Sequence, residues 1–371
     1  MENPETLKTL VPWLAYGLAF VFGATAQRCN FCTMGAITDI VNFGEWRRMR
    51  MWLLAIAVAI LGANALWLTG QIDLSKSIYV SSNLIWLSHV VGGVLFGFGM
   101  TLGSGCGSRS LIRLGSGNLK SLVVVVFLAL AAYMTLRGIL AVMRVNVFDA
   151  ARIALPSAQD IPSLIATAGV SVTSARWIVA LLIGIALLVF VFKDRDFRGT
   201  SEYIVGGLVV GAVIVGGWYV SAHIGHLAED PNTLQEAFIA TNSGRPESYS
   251  FVAPVAYLLE LLTFWTDKSQ VVTFGIAGVV GITLGATAMA VLTRTFRWEG
   301  FASTEDLVNH VVGGIMMGFG GVTALGCTVG QGLTGISTLA VGSILTFVAI
   351  VLGSWAAVKY QEWRIEAMES A

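Results

Sequence analysis

Two stretches of the chain decide its architecture. Residues 89–106 read HVVGGVLFGFGMTLGSGC, and residues 310–327 read HVVGGIMMGFGGVTALGC. They align without a gap at an offset of 221: His89 against His310, Gly97 and Gly99 against Gly318 and Gly320, Cys106 against Cys327. Upstream, LGANAL (61–66) aligns with LGATAM (284–289) at an offset of 223. Matches at nearly one offset mark an internal duplication rather than a local coincidence.

The surroundings of these stretches are those of a membrane protein. Of 371 residues, 56% are hydrophobic and 12% charged, and 22 Lys+Arg balance 22 Asp+Glu. A soluble domain carries roughly 25% charged residues. Zero net charge gives no footprint for nucleic acid, so no nucleic-acid partner is expected. Four cysteines in such a length exclude a disulfide scaffold. Apolar runs of ~17–25 residues can cross a bilayer as helices, and nine are read here: about 9–25, 50–69, 84–101, 119–143, 173–192, 202–221, 270–293, 307–324 and 338–358. The expected fold is therefore an all-α integral membrane protein, a single transmembrane domain of about nine helices with short re-entrant helices. Repeat one covers about 9–143, a connector helix about 173–192, and repeat two about 202–358. Five crossings separate equivalent points, an odd number, so the repeats should be inverted, the plan of many transporters with a shared site near the midplane.

Orientation follows from the cationic connections. Arg47, Arg48, Arg50, Lys193, Arg195, Arg198, Arg294, Arg297 and Lys359 gather on one side, with fewer cations on the other. The richer side is expected to be cytoplasmic, which places the C-terminus inside and the N-terminus outside.

Each matched stretch becomes glycine-dense toward its cysteine. Gly97, Gly99, Gly103 and Gly105 precede Cys106, and Gly318, Gly320, Gly321 and Gly326 precede Cys327. Each interior glycine costs a helix ~1 kcal/mol relative to alanine; glycine instead permits unusual backbone and close helix approach. Helix-compatible sequence resumes at 107–114 and 328–339. A broken or re-entrant hairpin with the cysteine at its turn is expected, and the helix end it exposes favours an anion. A third interruption, GATAQRCNFCTMGAITDIVNFG (23–44), holds Cys29 and Cys32 beside Arg28; its counterpart in the second half is expected near Tyr219–His223, without a cysteine. Bland readings stand beside these. A membrane cysteine is often a packing residue, His89 and His310 can cap helix ends, and Arg28, Arg109 and Arg113 can snorkel to the interface. Cys29-Asn-Phe-Cys32 has dithiol spacing but lacks a redox-fold context. The scattered Cys and His residues form no metal-ligand pattern, no phosphate-loop motif is present, and no cofactor is expected.

The segments QRCNFCTMGA, GFGMTLGSGCGSRSLIRLG and GFGGVTALGCTVGQGLTGIS resemble the three cysteine-bearing segments of the YeeE/YedE sulfur-transport family, and the resemblance extends over nearly the whole chain. It implies a bacterial inner-membrane permease for a small sulfur anion, thiosulfate foremost, that works with a small cytosolic sulfur-carrier protein. It implies a path along Cys32, Cys106 and Cys327, with Cys29 an additional cysteine. Arg28, Arg109, Gly105, Gly326, His89 and His310 complete the candidate set. The competing expectations are a membrane thiol oxidoreductase using Cys29 and Cys32, and the same fold carrying a selenium or other sulfur species.

Overall fold

A computed structural model describes residues 4–231 and 233–369. Among the described residues fifteen α-helices carry the architecture, with only two short antiparallel strand pairs, Asn83–Leu84 with Ile153–Ala154 and His226–Leu227 with Ala237–Phe238. The first half contains α1 (Pro4–Arg28), α2 (Thr33–Phe43), α3 (Arg47–Leu68), α4 (Trp86–Leu102), α5 (Gly107–Gly115), α6 (Leu119–Arg137) and α7 (Ile139–Met143). Then come α8 (Ile161–Ala166), α9 (Val172–Phe192) and α10 (Arg195–Gly199). The remainder contains α11 (Ser201–Tyr219), α12 (Ala253–Thr263), α13 (Phe274–Leu292), α14 (Thr304–Thr323) and α15 (Val341–Glu369). Between α14 and α15 lies a short helical segment that includes the π-turn Gly330–Gly335.

Among the described residues eight helical stretches are long and apolar enough to cross a membrane. The expected span at 307–324 is a helix, α14, but Glu305 and Asp306 in its first turn make it less apolar than the other eight. The expected span 119–143 is divided at Gly138, where the backbone turns extended (φ −103°, ψ −159°).

Helix pairs recur across the molecule. α1 packs along α13 and α11 along α3; α4 packs along α15 and α14 along α6; α4 and α14 cross each other. The short helices follow the same rule: α5 touches α13, α6 and α1, while the Gly330–Gly335 segment touches α3, α15 and α11. Helices α2 and α12, each of 11 residues, rest on α3 and α15 and on α13 and α6 respectively. By the same contacts α2 corresponds to α12, at an offset of 220 that places Phe31 against Phe251, while the end of α1 corresponds to the end of α11 near Tyr219.

The glycines of the matched stretches make these crossings possible. α4 and α14 run unbroken through Gly97, Gly99, Gly318 and Gly320, and the expected break comes at the cysteine turns that follow. A Cβ at Gly97 would sit 2.1 Å from the Ile350 carbonyl oxygen, and one at Gly318 would sit 2.5 Å from that of Leu128. At the α4–α14 crossing, a Cβ at Gly320 would lie 2.6 Å from Gly92 O and one at Gly99 2.8 Å from Gly313 O. Close approach of small-residue faces is the usual way membrane helices gain packing when lipid is as apolar as they are.

The connections gather at two ends. At one end Lys76 pairs with Glu236 and strand 83–84 with strand 153–154. At the other, Arg28 pairs with Glu202, Arg50 with Asp194, and Arg297 N–H bonds Ser116 O.

Candidate functional site

The breaks fall just before three cysteines, and they share one backbone design. Asn30, Ser104 and Leu325, each two residues before a cysteine, are left-handed with φ of 52°, 58° and 60°. The next N–H bonds back to the carbonyl five residues earlier: Phe31 to Ala26, Gly105 to Met100 and Gly326 to Gly321, at 3.0, 2.8 and 2.7 Å. That is the Schellman closure of a helix C-terminus. Each cysteine comes next, and its carbonyl accepts the first bond of a new helix: Ala36 N to Cys32, Ser110 N to Cys106, Gln331 N to Cys327, at 3.0, 2.8 and 2.7 Å. Cys32, Cys106 and Cys327 thus each stand at a helix N-terminus, where unsatisfied N–H groups and the helix dipole favour negative charge.

The sulfurs take part in the capping. Cys32 Sγ accepts from Gly35 N–H at 3.3 Å, and Cys327 Sγ from Gly330 N–H at 3.4 Å. Cys106 Sγ lies 3.3 Å from Ser108 Oγ, and Ser250 Oγ lies 3.9 Å from Cys327 Sγ. A thiol that accepts through sulfur retains its S–H as a weak donor. All three are buried, with relative exposures of 5%, 1% and 0%. Cys106 lies within electrostatic range of both Cys32 and Cys327, so the structure brings the three loops together around it. The adjoining Thr33 and Thr328 hydroxyls are fully buried and have no hydrogen-bond partner among the described residues.

The two approaches to the thiols differ. On the Arg28 end, Arg109 Nη2 donates to Asn30 Oδ1 at 3.0 Å, while its Nη1 is buried without a partner. Arg113 Nη1 donates to Ser104 O at 2.9 Å, and Arg48 pairs with Asp39 at 3.2 Å. On the opposite end a cavity of about 290 Å³ is lined by Tyr79, Arg144, Arg245, Glu247, Ser250 and Gly326. Through Ser250 and Gly326 it reaches the Cys327 loop.

Residues 28–356 match the model of the sulphur transport family. The chain belongs to that family. It is 25% identical over 349 residues to the thiosulfate transporter TsuA of Spirochaeta thermophila, covering 92% of this chain and 97% of that one. It is 27% identical over 344 residues to the thiosulfate transporter TsuA of Escherichia coli K12, covering 91% of each.

Within this family member the other candidates separate. Gly105 lies under Arg109, whose Cγ would be 3.0 Å from a Cβ there, and Gly326 lies against Gln331. Arg28 is instead 60% exposed and bonded to Glu202. Cys29 is buried with its sulfur against Gly206 of α11, apart from the backbone pattern that Cys32 shares. All four cysteines are free thiols, and the Cys29 and Cys32 sulfurs have different partners. His89 stands in the first turn of α4 and His310 in the second turn of α14, bonded to Thr346 Oγ1 and Asp306 O, each at 2.7 Å. A helix rise of about 1.5 Å per residue puts them ~20 Å from the cysteine that follows, so the structure does not bring them to the thiols. Sequence reasoning missed Glu247, Ser250 and the hinge residues. Only the shared spacing, two residues before each cysteine, could have signalled the hinges.

Proposed function

We propose that this chain carries thiosulfate, or a sulfur anion of the same shape and charge, across the bacterial inner membrane without covalent chemistry. The ion passes between Cys327, Cys106 and Cys32 by S–H donation, with Cys106 the middle station. The observation that carries this reading is the triple recurrence of one joint: a left-handed hinge, then a buried thiol at a helix N-terminus. A dianion in hydrocarbon is prohibitively costly unless it is hydrogen-bonded and charge-compensated. Helix N-termini with adjoining hydroxyls and a nearby arginine lower that cost, and weak repeated sites release an ion that one strong site would trap. The two relatives are named thiosulfate transporters, which supports the same substrate.

The repeated helix pairs support two halves of opposite orientation, about 9–143 and 202–358, joined by the connector at 173–192. On the cation count, the Arg28 end is cytoplasmic, the end with the cavity is periplasmic, the N-terminus is outside and the C-terminus inside. Release beside Arg109 and Arg48 would hand the ion to a small cytosolic sulfur-carrier protein. The test is uptake of labelled thiosulfate into proteoliposomes, competed with sulfate and selenite. Cys106→Ala should abolish uptake while the protein still inserts and purifies as a folded species. Full uptake by that variant would end the relay.

A further inference from the structure

The cavity at the Arg144–Arg245 end contains a group that an anion path should avoid. Glu247 lines it, within reach of Ser250 and hence of Cys327. The main chain of Glu247 is fixed: its N–H donates to Ser221 Oγ at 3.1 Å, and Ser221 Oγ in turn donates to its carbonyl. The carboxylate itself receives the Ser243 hydroxyl, at 3.2 Å, and the Asn242 backbone, and no Lys or Arg pairs with it in a salt bridge among the described residues. The groups that face it from neighbouring elements do not neutralise it. Tyr79 comes from the 69–85 connection and Tyr257 from α12. Arg144, after α7, is drawn 3.8 Å from Asp149, and Arg137 beyond Tyr257 is paired with Glu260. Arg245, on Glu247's own loop, is exposed.

We propose that Glu247 is a proton-binding group that is protonated whenever the anion occupies this cavity, so that loading the anion from this side takes up one proton. This rests on the reading of the cavity as the outer end of the anion path. Like charges sharing one site cannot both ionise cheaply. A proton on Glu247 removes that repulsion and converts an acceptor-only group into an O–H donor toward the anion. The carboxylate oxygen takes the proton from the aqueous side and returns it when the anion leaves, with no other bond made or broken. Burial supports the exchange by pushing the Glu247 carboxyl up to about 7, where modest changes of pH change its charge. By linkage, a ligand that requires the protonated form must raise proton affinity in return.

Labelled thiosulfate uptake into proteoliposomes at external pH 6 to 8 tests this, since thiosulfate stays a dianion throughout that range. With a group titrating near 7, the apparent KM should rise about tenfold from pH 6 to pH 8. Glu247→Gln should flatten the profile near the wild-type value at pH 6. Glu247→Asp should keep a pH dependence, and Glu236→Gln, exposed on the same end, should keep the wild-type profile. A measurement without variants stands beside these: with a group titrating near 7, thiosulfate added to purified protein in weak buffer at pH 7.5 should take up about three quarters of a proton per chain. A flat wild-type profile, an undiminished dependence in Glu247→Gln, or no proton uptake would each overturn the proposal. Absence of wild-type uptake at every pH would instead overturn the thiosulfate reading beneath it.

Discussion

Gly97→Ala should lower stability although alanine is the better helix former. A Cβ at Gly97 would stand 2.1 Å from the Ile350 carbonyl oxygen and 2.9 Å from Ile350 C and Ser354 N. These are backbone atoms inside α15, so no side-chain rotation relieves the clash. Restoring ordinary contact requires α4 and α15 to part by roughly 1 Å, and overpacking of this kind costs about 1–3 kcal/mol. The separation also stretches the buried Thr101–Ser354 hydroxyl bond, 2.8 Å long one turn away, and a hydrogen bond contributes about 1 kcal/mol. The gain in helix propensity offsets ~1 kcal/mol. The net expectation is a loss of about 1–3 kcal/mol, seen as a lower melting temperature of the purified protein in detergent. Gly318→Ala, 2.5 Å from Leu128 O, should behave alike. Gly17→Ala is the control: a Cβ there meets nothing within 4 Å, so only the propensity gain remains and the protein should be as stable or slightly more so. If Gly97→Ala melts at or above the wild type, or Gly17→Ala loses as much as Gly97→Ala, the close-approach reading of the glycine motif is wrong.

The two cysteines of the first loop should separate in the uptake assay: Cys32→Ala abolishes thiosulfate uptake and Cys29→Ala leaves most of it. Arg176, 1% exposed and 2.7 Å from the fully buried Asp160, should lose about 3–5 kcal/mol as Arg176→Met, because an uncompensated carboxylate is left behind. Thermal unfolding reads that loss, and Arg28→Ala, which removes only an exposed pair with Glu202, should stay within about 1 kcal/mol of wild type. Ser104→Gly, at φ 58°, should gain up to about 1 kcal/mol in the same measurement, since the left-handed region costs a non-glycine residue about that much or more.

Long apolar runs told where most helices lie, because span length is fixed by bilayer thickness. They could not tell that 119–143 turns at Gly138 or that the helix over 307–324 begins earlier, at Thr304, with Glu305 and Asp306 in its first turn. The glycine motif was legible as important, and the break at the cysteine turn was legible with it, but which glycines serve the break and which serve close packing was not. Glycine both breaks helices and lets them approach, and only the neighbouring helix, absent from a local reading, decides between the two. The real breaks turn on Asn30, Ser104 and Leu325. Asparagine is enriched in left-handed backbone, but a leucine there is announced by no propensity. Pairing by repeat drew His89 and His310 into the candidate set, although His89 bonds Thr346 of α15 and His310 the Asp306 carbonyl of its own helix, far from the thiols.

The same duplication explains why the site had to be read residue by residue. On the proposed inverted repeat, the two ends of the path inherit one backbone and should be equivalent. The side chains are not. At the offset of 221, Arg109 and Arg113 stand opposite Gly330 and Thr334; at the offset of 220, Cys32 stands opposite Val252. One mouth therefore presents three arginines, counting Arg48, to the Cys32 thiol. The other presents a carboxyl and a serine to the Cys327 loop. Guanidinium groups hold an anion at any physiological pH, whereas a carboxyl admits one only when it carries a proton. Backbone symmetry supplies matched helix N-termini along the path, and divergence at these few positions makes its two ends chemically different.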